Sequence, residues 1–295
     1  MKIYQASLFL SVLKRYYELF PKEPVNVLLS LAYNESEREG FIIDYRHMIG
    51  SLIADSGAWS VAQGTSKLTI AEVIAHLQLW GSYYDRYFNF DTNFSTRGFN
   101  SNIANQVMME QAGLKPIPVV HNFYNHEIGF YVQSGKYDWL ALGSSQSSNF
   151  RKIKYATDKI KKWGNPEIRV HWFGGSKFDW LCKLPIASCD TTSWAATGMY
   201  GSIMYWNPDN PKLNKAERIY VSGRVREFKE NEYHFVTYPW RTELKAYLAE
   251  NFGFSFADLC GYRDKFYMQL VNTRFYVELE RRINEERVRR GIELE

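Results

Sequence analysis

Short apolar runs alternate with helix-forming segments along most of this chain, and no other feature restricts the possible folds as strongly. The pattern predicts strands at 25–32, 51–55, 87–91, 116–121, 139–142, 168–173, 184–189 and 201–206. Helices are predicted between them at 70–80, 102–112, 127–133, 150–163 and 177–182. A strand, a helix and the next strand form a parallel crossover, so the repeated pattern predicts an α/β fold with a parallel sheet.

Polar side chains or glycines stand at the carboxyl ends of several predicted strands. They are Asp55, Asp91, His121, Gly143, Gly174 and Asp190. An open α/β sheet gathers its site at one switch point, whereas a closed barrel draws on the carboxyl ends of many strands. The distribution therefore predicts a (β/α)8 TIM barrel.

The two ends of the chain are expected to add to this barrel. The first 17 residues are predicted to form a helix and not a signal peptide, because Lys14 and Arg15 interrupt the apolar stretch and no cleavage site follows. The later elements are a loop at 207–215, a hairpin of 219–225 with 233–236, and helices at 241–252 and 264–290. Since no linker or repeat divides the chain, residues 1–295 are expected to form one domain, with 207–295 packed on the barrel.

Composition favours a soluble, cytoplasmic protein. Hydrophobic residues make up 45% and charged residues 23%, and no apolar run approaches the roughly 20 residues needed to span a bilayer. The three cysteines, Cys182, Cys189 and Cys260, form no CxxC pair, which argues for a reducing compartment and against a zinc site. The net charge of +4 permits a polyanionic partner without itself indicating one.

Asp55 is the first candidate for chemistry. It ends an apolar run within Leu52–Gly64 (LIADSGAWSVAQG), is followed by small residues that leave it uncovered, and has Trp59 close by. The alternative is a turn or N-cap carboxylate, since Asp before Gly is common in turns.

Asp190 supplies a second carboxylate at the end of another predicted strand. Two such carboxylates on one barrel face suit displacement at a sugar anomeric carbon, one acting as nucleophile and the other handling the proton. A divalent metal held by Asp55, Asp91, His121 and Asp190 is the weaker alternative, because no HxH or DxD pair occurs at these strand ends.

Five segments, in order, resemble motifs of the tRNA-guanine transglycosylases. Asp55-Ser56-Gly57-Ala58-Trp59 is similar to their DSGGF motif, Asn89-Phe90-Asp91 to FDE, and Val119-Val120-His121 to GIVQG. Leu140 to Ser144 (LALGS) is similar to AIGG, and Ser188-Cys189-Asp190 stands where FDC carries the nucleophile. The resemblance covers residues 51–206 and implies exchange of guanine in a polynucleotide for a free 7-deazaguanine base. No cofactor is expected, because the sequence predicts no zinc site.

The resemblance also implies roles for individual residues. Asp190 would be the nucleophile on C1′ and Asp55 the general acid/base. Asp91 would accept hydrogen bonds from the N1–H and 2-amino groups of guanine. These two neighbouring donors are complementary to the two acceptor oxygens of a buried carboxylate.

The remaining candidate contacts surround the base. Trp59 would stack on it where the family usually has Phe, and Ser56 belongs to the same motif. The backbone at Gly143 and Ser144 would contact O6. His121 replaces the family's Gln, and an imidazole can still donate a hydrogen bond to O6.

Departures from the family point to a different nucleic acid. Its tRNA-specific members carry a zinc site after the nucleophile, and no comparable Cys and His cluster follows Asp190. The trimmed chain is most similar to bacterial and phage-borne members that modify DNA, so DNA is expected as the partner and tRNA is the alternative. A homodimer is possible. A catalytically silent nucleic-acid-binding subunit is a further alternative, disfavoured because both carboxylates are kept.

One helix offers a candidate surface for phosphates. The helix at 150–163 has a basic face, and Lys212, Lys215, Arg224 and Arg226 extend the positive charge. A Lys-rich face opposite an apolar one is more often simply a solvated surface.

Overall fold

The sheet at the centre of the molecule is built from parallel strands. The computed structural model describes residues 1–33, 35–95, 97–143, 149–163, 167–210, 216–221, 227–261 and 264–292. Within these residues the sheet has eight strands: β1 (Lys2–Ala6), β2 (Val25–Ser30), β3 (Ile49–Asp55), β4 (Arg86–Tyr87), β5 (Val119–Val120), β6 (Trp139–Leu142), β7 (Arg169–Trp172) and β8 (Ser188–Thr191). Their order is β4-β3-β2-β1-β8-β7-β6-β5, and each neighbouring pair is parallel. The protein therefore has the expected α/β fold.

Helices follow the strands and flank the sheet. They are α1 (Leu10–Leu19), α2 (Glu35–Glu39), α3 (Ala58–Ala62), α4 (Ile70–Trp80), α5 (Phe99–Gln111), α6 (Glu127–Gln133), α7 (Phe150–Trp163), α8 (Phe178–Leu181) and α9 (Ser193–Met199). The sequence specifies several of their ends. Thr69 and Glu72 form a capping box that starts α4, and Gly113 takes a positive φ just after α5.

The sheet curls so that its two edge strands approach each other. Phe88, just after β4, forms a parallel bridge with Ile117, just before β5. The Ile117 N–H donates to the Tyr87 carbonyl at 2.8 Å, and the Asn89 N–H donates to the Ile117 carbonyl at 3.0 Å. Among the described residues, this bridge is the contact between the β4 and β5 edges, and no β-ladder joins the two strands.

The first strand and the last part of the chain correct the sequence-based prediction. Lys2–Ala6 forms β1 at the centre of the sheet, with its register fixed by β2 and β8, whereas a helix was expected from the first residue. Ile3 and Tyr4 are buried in this strand, and the helix begins later, at Leu10. The first strand of the sheet is therefore β1, and the segment at 201–206 is not its last.

A smaller sheet replaces the predicted hairpin. It contains β9 (Ser202–Tyr205), β10 (Glu217–Tyr220) and β11 (Glu232–His234), with β9 antiparallel to β10 and β11 parallel to it. The prediction of a hairpin between the last two was wrong, because parallel neighbours need a crossover and not a tight turn. Glu217, on β10, is fully buried and accepts hydrogen bonds from Asn210 and Tyr238.

Two final helices complete the fold as predicted. They are α10 (Arg241–Phe252) and α11 (Asp264–Arg289). The long α11 lies against both sheets: Glu280 accepts a hydrogen bond from the backbone of Ile3 on β1, and Asn272 accepts one from Met204 on β9 at 2.7 Å. One hydrophobic cluster includes residues of α11 and of both sheets.

None of the described helices is both long enough and apolar enough to cross a bilayer.

Candidate active site

A cavity of about 770 Å³ opens at the carboxyl ends of the parallel strands. Each strand contributes lining residues at or just beyond its end, including Ser7, Ser30, Asp55, Asn89, His121, Gly143, Gly174 and Asp190. Its volume lies within the range of small-molecule binding sites, about 300–1,000 Å³. This is the end of the sheet at which parallel α/β enzymes place their chemistry.

The cavity brings the candidate residues together. Among the described residues, it is lined by Asp55, Ser56, Trp59, Asp91, His121, Gly143 and Asp190. Ser144, which the resemblance assigns to the O6 contact, lies outside the described residues. So do Lys212, Lys215, Arg224 and Arg226, which were considered for phosphate binding.

Asp190 is buried on β8, where a backbone donor and an imidazole fix its carboxylate. The N–H of Gly174 donates to Oδ1 at 2.9 Å, and Nε2 of His171 lies 3.4 Å from the same oxygen. Gly174 has a φ of +68°, a conformation that favours glycine, in the turn that directs this N–H at the carboxylate. Local backbone geometry therefore orients Asp190 toward the cavity.

Asp55 ends β3 and shares the cavity with Asp190. Burial raises the pKa of Asp55 to about 6, and the negative charge of Asp190 adds to the increase. The backbone N–H of Gly57 and the hydroxyl of Ser30 oppose it by hydrogen bonding to the carboxylate. Gly57 has a φ of +79°, and a Cβ there would lie 2.9 Å from the backbone nitrogen of Ala32, so the turn requires glycine.

Asp91 lies on another wall, with both carboxylate oxygens hydrogen-bonded. The Asn89 side-chain amide donates to Oδ1, and Nε2 of His121 lies 2.9 Å from Oδ2. Burial raises the pKa of Asp91, while the hydrogen bond and positive charge of His121 lower it. The side chain is therefore held in one orientation before any ligand binds.

His121 is directed at Asp91 more than at the open cavity. Its Nδ1 is buried and has no hydrogen-bond partner among the described residues. A Cβ at Gly143 would lie 2.7 Å from this nitrogen, so the ring packs directly against the glycine backbone. A hydrogen bond from the imidazole to a bound base would require the ring to turn; as placed, His121 orients Asp91.

Ser56 and Trp59 hold different positions at the cavity. The Ser56 hydroxyl is buried and donates to the Asn89 carbonyl at 2.8 Å, which ties the end of β3 to the segment after β4. Trp59 lies on α3 at the mouth, is 55% exposed, and makes an edge contact with Phe94 at 5.4 Å between ring centroids. A ring so placed is available for stacking on a ligand.

Several residues of the site were not singled out from the sequence. His171 lies between Phe88 and Phe173, with its ring centroid 4.7 Å from each, and its Nδ1 is 2.8 Å from the Ser188 hydroxyl. Phe88 and Phe173 line the cavity, and so does Phe94. One available signal was parity: His171 and Phe173 are two residues apart, so in the strand predicted at 168–173 their side chains lie on the same face.

The described residues contain no group of three or more His, Cys, Asp or Glu side chains arranged to hold a metal ion. The histidines nearest the carboxylates are each paired with one of them, His121 with Asp91 and His171 with Asp190.

Comparison of the chain with protein-family models and with curated proteins found no match.

Proposed function

We propose that this protein is a transglycosylase that exchanges guanine for a 7-deazaguanine base in nucleic acid, and in DNA in preference to tRNA. The observation that carries the proposal is the pair of carboxylates from β3 and β8, which share one cavity and interact electrostatically. The raised pKa of Asp55 suits it to carry a proton beside the oriented carboxylate of Asp190, and double displacement at an anomeric carbon requires a proton donor and a nucleophile.

In the first step, the Asp190 carboxylate attacks C1′ of the target nucleoside. The glycosidic bond breaks, its electron pair leaves with guanine, and protonated Asp55 supplies the proton that makes guanine a neutral leaving group. A covalent glycosyl ester of Asp190 remains. A pKa near 6 allows Asp55 to donate this proton near neutral pH without being protonated permanently.

In the second step, the ionised Asp55 takes a proton from the incoming 7-deazaguanine. The ring nitrogen that loses the proton attacks C1′ and displaces Asp190, which restores the enzyme. Each proton and electron pair is returned over the cycle, so the reaction needs no cofactor or metal.

Recognition of guanine is assigned to the wall that carries Asp91. Each of its carboxylate oxygens keeps a second lone pair after bonding to Asn89 or His121, and these lone pairs can accept from the N1–H and 2-amino groups. Trp59 stacks on the base, which compensates part of the cost of removing it from its neighbours in the polynucleotide. Adenine lacks this donor edge and would leave Asp91 unsatisfied.

The proposal includes a closed (β/α)8 barrel acting as one catalytic domain. The bridge between Phe88 and Ile117 supports closure, and the strand order is that of a barrel opened between β4 and β5. DNA as the partner, and a bacterial or phage enzyme working in the cytoplasm, rest on the resemblance to the trimmed members of the family.

The decisive experiment is mass spectrometry of nucleosides. Purified protein is incubated with guanine-containing DNA or with tRNA, together with a 7-cyano or 7-aminomethyl 7-deazaguanine. The expected result is a 7-deazaguanine deoxynucleoside with an equal amount of released guanine. Asp190→Ala should give none, whereas Asp44→Ala, which changes an exposed carboxylate outside the cavity, should behave as the wild type. Exchange in tRNA alone would select the alternative substrate, and exchange in neither would reject the proposal.

A further inference from the structure

A stacked pair of exposed tyrosines lies beside the cavity wall. Tyr124 belongs to the loop after β5 and Tyr155 to α7; their ring centroids are 5.0 Å apart and their planes differ by 25°. Tyr124 is 56% exposed and Tyr155 42% exposed. One face of each ring is covered by its partner, which leaves aromatic surface open to solvent. We call this pair the tyrosine platform.

The loop that presents Tyr124 is held rigidly. Lys159, a buried lysine on α7, donates to the carbonyls on either side of Tyr124, at Phe123 (3.2 Å) and Asn125 (2.9 Å). The Phe123 ring is fully buried below the loop. A buried ammonium that bridges these two carbonyls fixes Tyr124 against Tyr155. The platform is therefore formed before any ligand binds, which lowers the entropic cost of binding.

The same loop forms part of the cavity. Glu127, at the start of α6, accepts hydrogen bonds from the backbone of His121 at 2.8 Å and of Asn122 at 3.1 Å. Tyr124 is three residues from His121, so the two can be no more than about 11 Å apart along the chain. A nucleotide next to one bound in the cavity could reach this distance.

Positive charge accompanies the platform at one end of α7. This helix follows β6, so its first residues lie on the cavity side and its last residues lie on the opposite side, about 20 Å away. Arg151 is exposed one turn before Tyr155. Lys154 pairs with Asp158 at 2.6 Å and contributes less net charge. Lys161 and Lys162 are exposed at the far end.

We propose that the tyrosine platform stacks an unpaired base next to the target nucleotide, while Arg151 contacts the adjoining phosphate. The occupant is a single-stranded polynucleotide segment, because exposed aromatic rings beside cations are the features that bind such strands irrespective of sequence. This inference rests on the proposed function, since it names the surface by which the polynucleotide is held beside the cavity. It goes further in assigning binding to residues that take no part in base exchange.

Binding is measured separately from exchange, by fluorescence anisotropy of a labelled single-stranded oligodeoxynucleotide on Asp190→Ala protein, which cannot turn over. Adding Tyr124→Ala should weaken binding about fivefold to a hundredfold, the effect of losing one stacked base. Tyr124→Trp should restore it. Tyr83→Ala is the matched control, because Tyr83 is 43% exposed, contacts Trp80 at 5.5 Å between ring centroids, and precedes β4, at the amino ends of the strands and away from the cavity.

The contribution of Arg151 to binding is tested against a second basic residue of the same helix. Arg151→Glu should weaken binding and reduce its salt dependence, whereas Lys162→Glu, at the far end of α7, should change both much less. Equal effects of these two substitutions would indicate general attraction to a basic helix and would overturn the inference. Unchanged binding of Tyr124→Ala, or no binding of the oligonucleotide at all, would do the same.

The outcomes separate the two proposals. Base exchange combined with Tyr124-independent binding rejects the platform and leaves the proposed function standing. Binding that depends on Tyr124 and Arg151 without exchange in any nucleic acid rejects the proposed function and keeps the surface.

Discussion

Two groups of carboxylates line the cavity, and they are held in different ways. Burial first, and then the negative charge of Asp190, raise the pKa of Asp55 to about 6, although β3 and β8 are not neighbours in the sheet. Asp91 follows β4, next to β3, and its oxygens face the Asn89 amide and His121, which opposes the increase that burial causes in its pKa. Two carboxylates that repel each other favour proton transfer during a reaction, whereas a carboxylate that faces two donors keeps its position. We therefore expect chemistry at Asp55 and Asp190 and recognition at Asp91, and substitutions should affect the two groups in different ways.

The largest effect is expected from Asp190→Ala. Loss of the nucleophile should lower single-turnover guanine release by about 10⁴-fold or more, as for nucleophiles of other covalent enzymes. Folding should be retained, because alanine is smaller and removes a partly desolvated charge. Circular dichroism and thermal unfolding provide the control. A release rate within tenfold of the wild type would remove Asp190 from the mechanism.

Asp55→Asn should lower the rate by about a hundredfold or more, the usual contribution of a general acid/base. The pH–rate profile of the wild type should show an ionisation near pH 6, and the variant should lose it. An unaltered rate would return Asp55 to a turn or capping role.

Asp55→Asn should also change how the free energy of unfolding depends on pH. The folded-state pKa of Asp55 lies above the unfolded value, so folded protein binds its proton more tightly between about pH 4 and pH 6. The stability that this group contributes is therefore present at pH 4 and lost as the pH rises through 6. Denaturant titrations should show Asp55→Asn gaining stability relative to wild type over that range.

Asp91→Asn should change protein stability and base selectivity, whereas the substitutions at Asp190 and Asp55 mainly lower the reaction rate. An asparagine places its amide nitrogen opposite either the Asn89 amide, where the hydrogen bond is lost, or His121, whose Nε2 accepts only if the proton moves to Nδ1, which is buried and has no partner among the described residues. The free energy of unfolding at pH 7 should fall by about 1–3 kcal/mol, the cost of an unsatisfied buried group. Discrimination of guanine from adenine should also weaken. If Asp91→Asn were as stable as wild type and equally selective, the proposed division of roles between Asp91 and the pair of Asp55 and Asp190 would be wrong.

Trp59→Ala should have the smallest effect, because this side chain is 55% exposed and its loss leaves the core intact. Stability should change by no more than about 0.5 kcal/mol. KM for the polynucleotide should rise by about fivefold or more through the lost stacking, and Trp59→Phe should recover most of it. A KM that does not change would place the base away from Trp59.

Much of the fold could be predicted because local signals agree with the tertiary structure. The bounds of α6, β6, α7 and α10 match the predictions, since periodicity, flanking glycines and polar turns all point the same way. β1 was missed because its residues run with little interruption into the apolar positions of α1. The segment at 201–206 does form a strand, but whether it pairs with β8 or with β10 is decided by contacts remote in sequence.

The candidate site could be predicted in part for a similar reason. Carboxyl ends of parallel strands meet at one edge of a sheet, so strand-end residues such as Asp55, Asp91 and Asp190 could be placed near one another. The partners of these carboxylates could not be predicted. His171 reaches Asp190, and His121 turns toward Asp91, through register and packing that spacing alone does not specify.

The central claim is tested most directly by locating a covalent intermediate. Wild-type protein is incubated with a guanine-containing oligodeoxynucleotide and no 7-deazaguanine, quenched with acid, and digested for peptide mass spectrometry. The expected result is an oligonucleotide adduct on the peptide that contains Asp190, formed with release of guanine and absent when Asp190 is replaced by Ala. An adduct on another residue, or guanine release without any adduct, would contradict it.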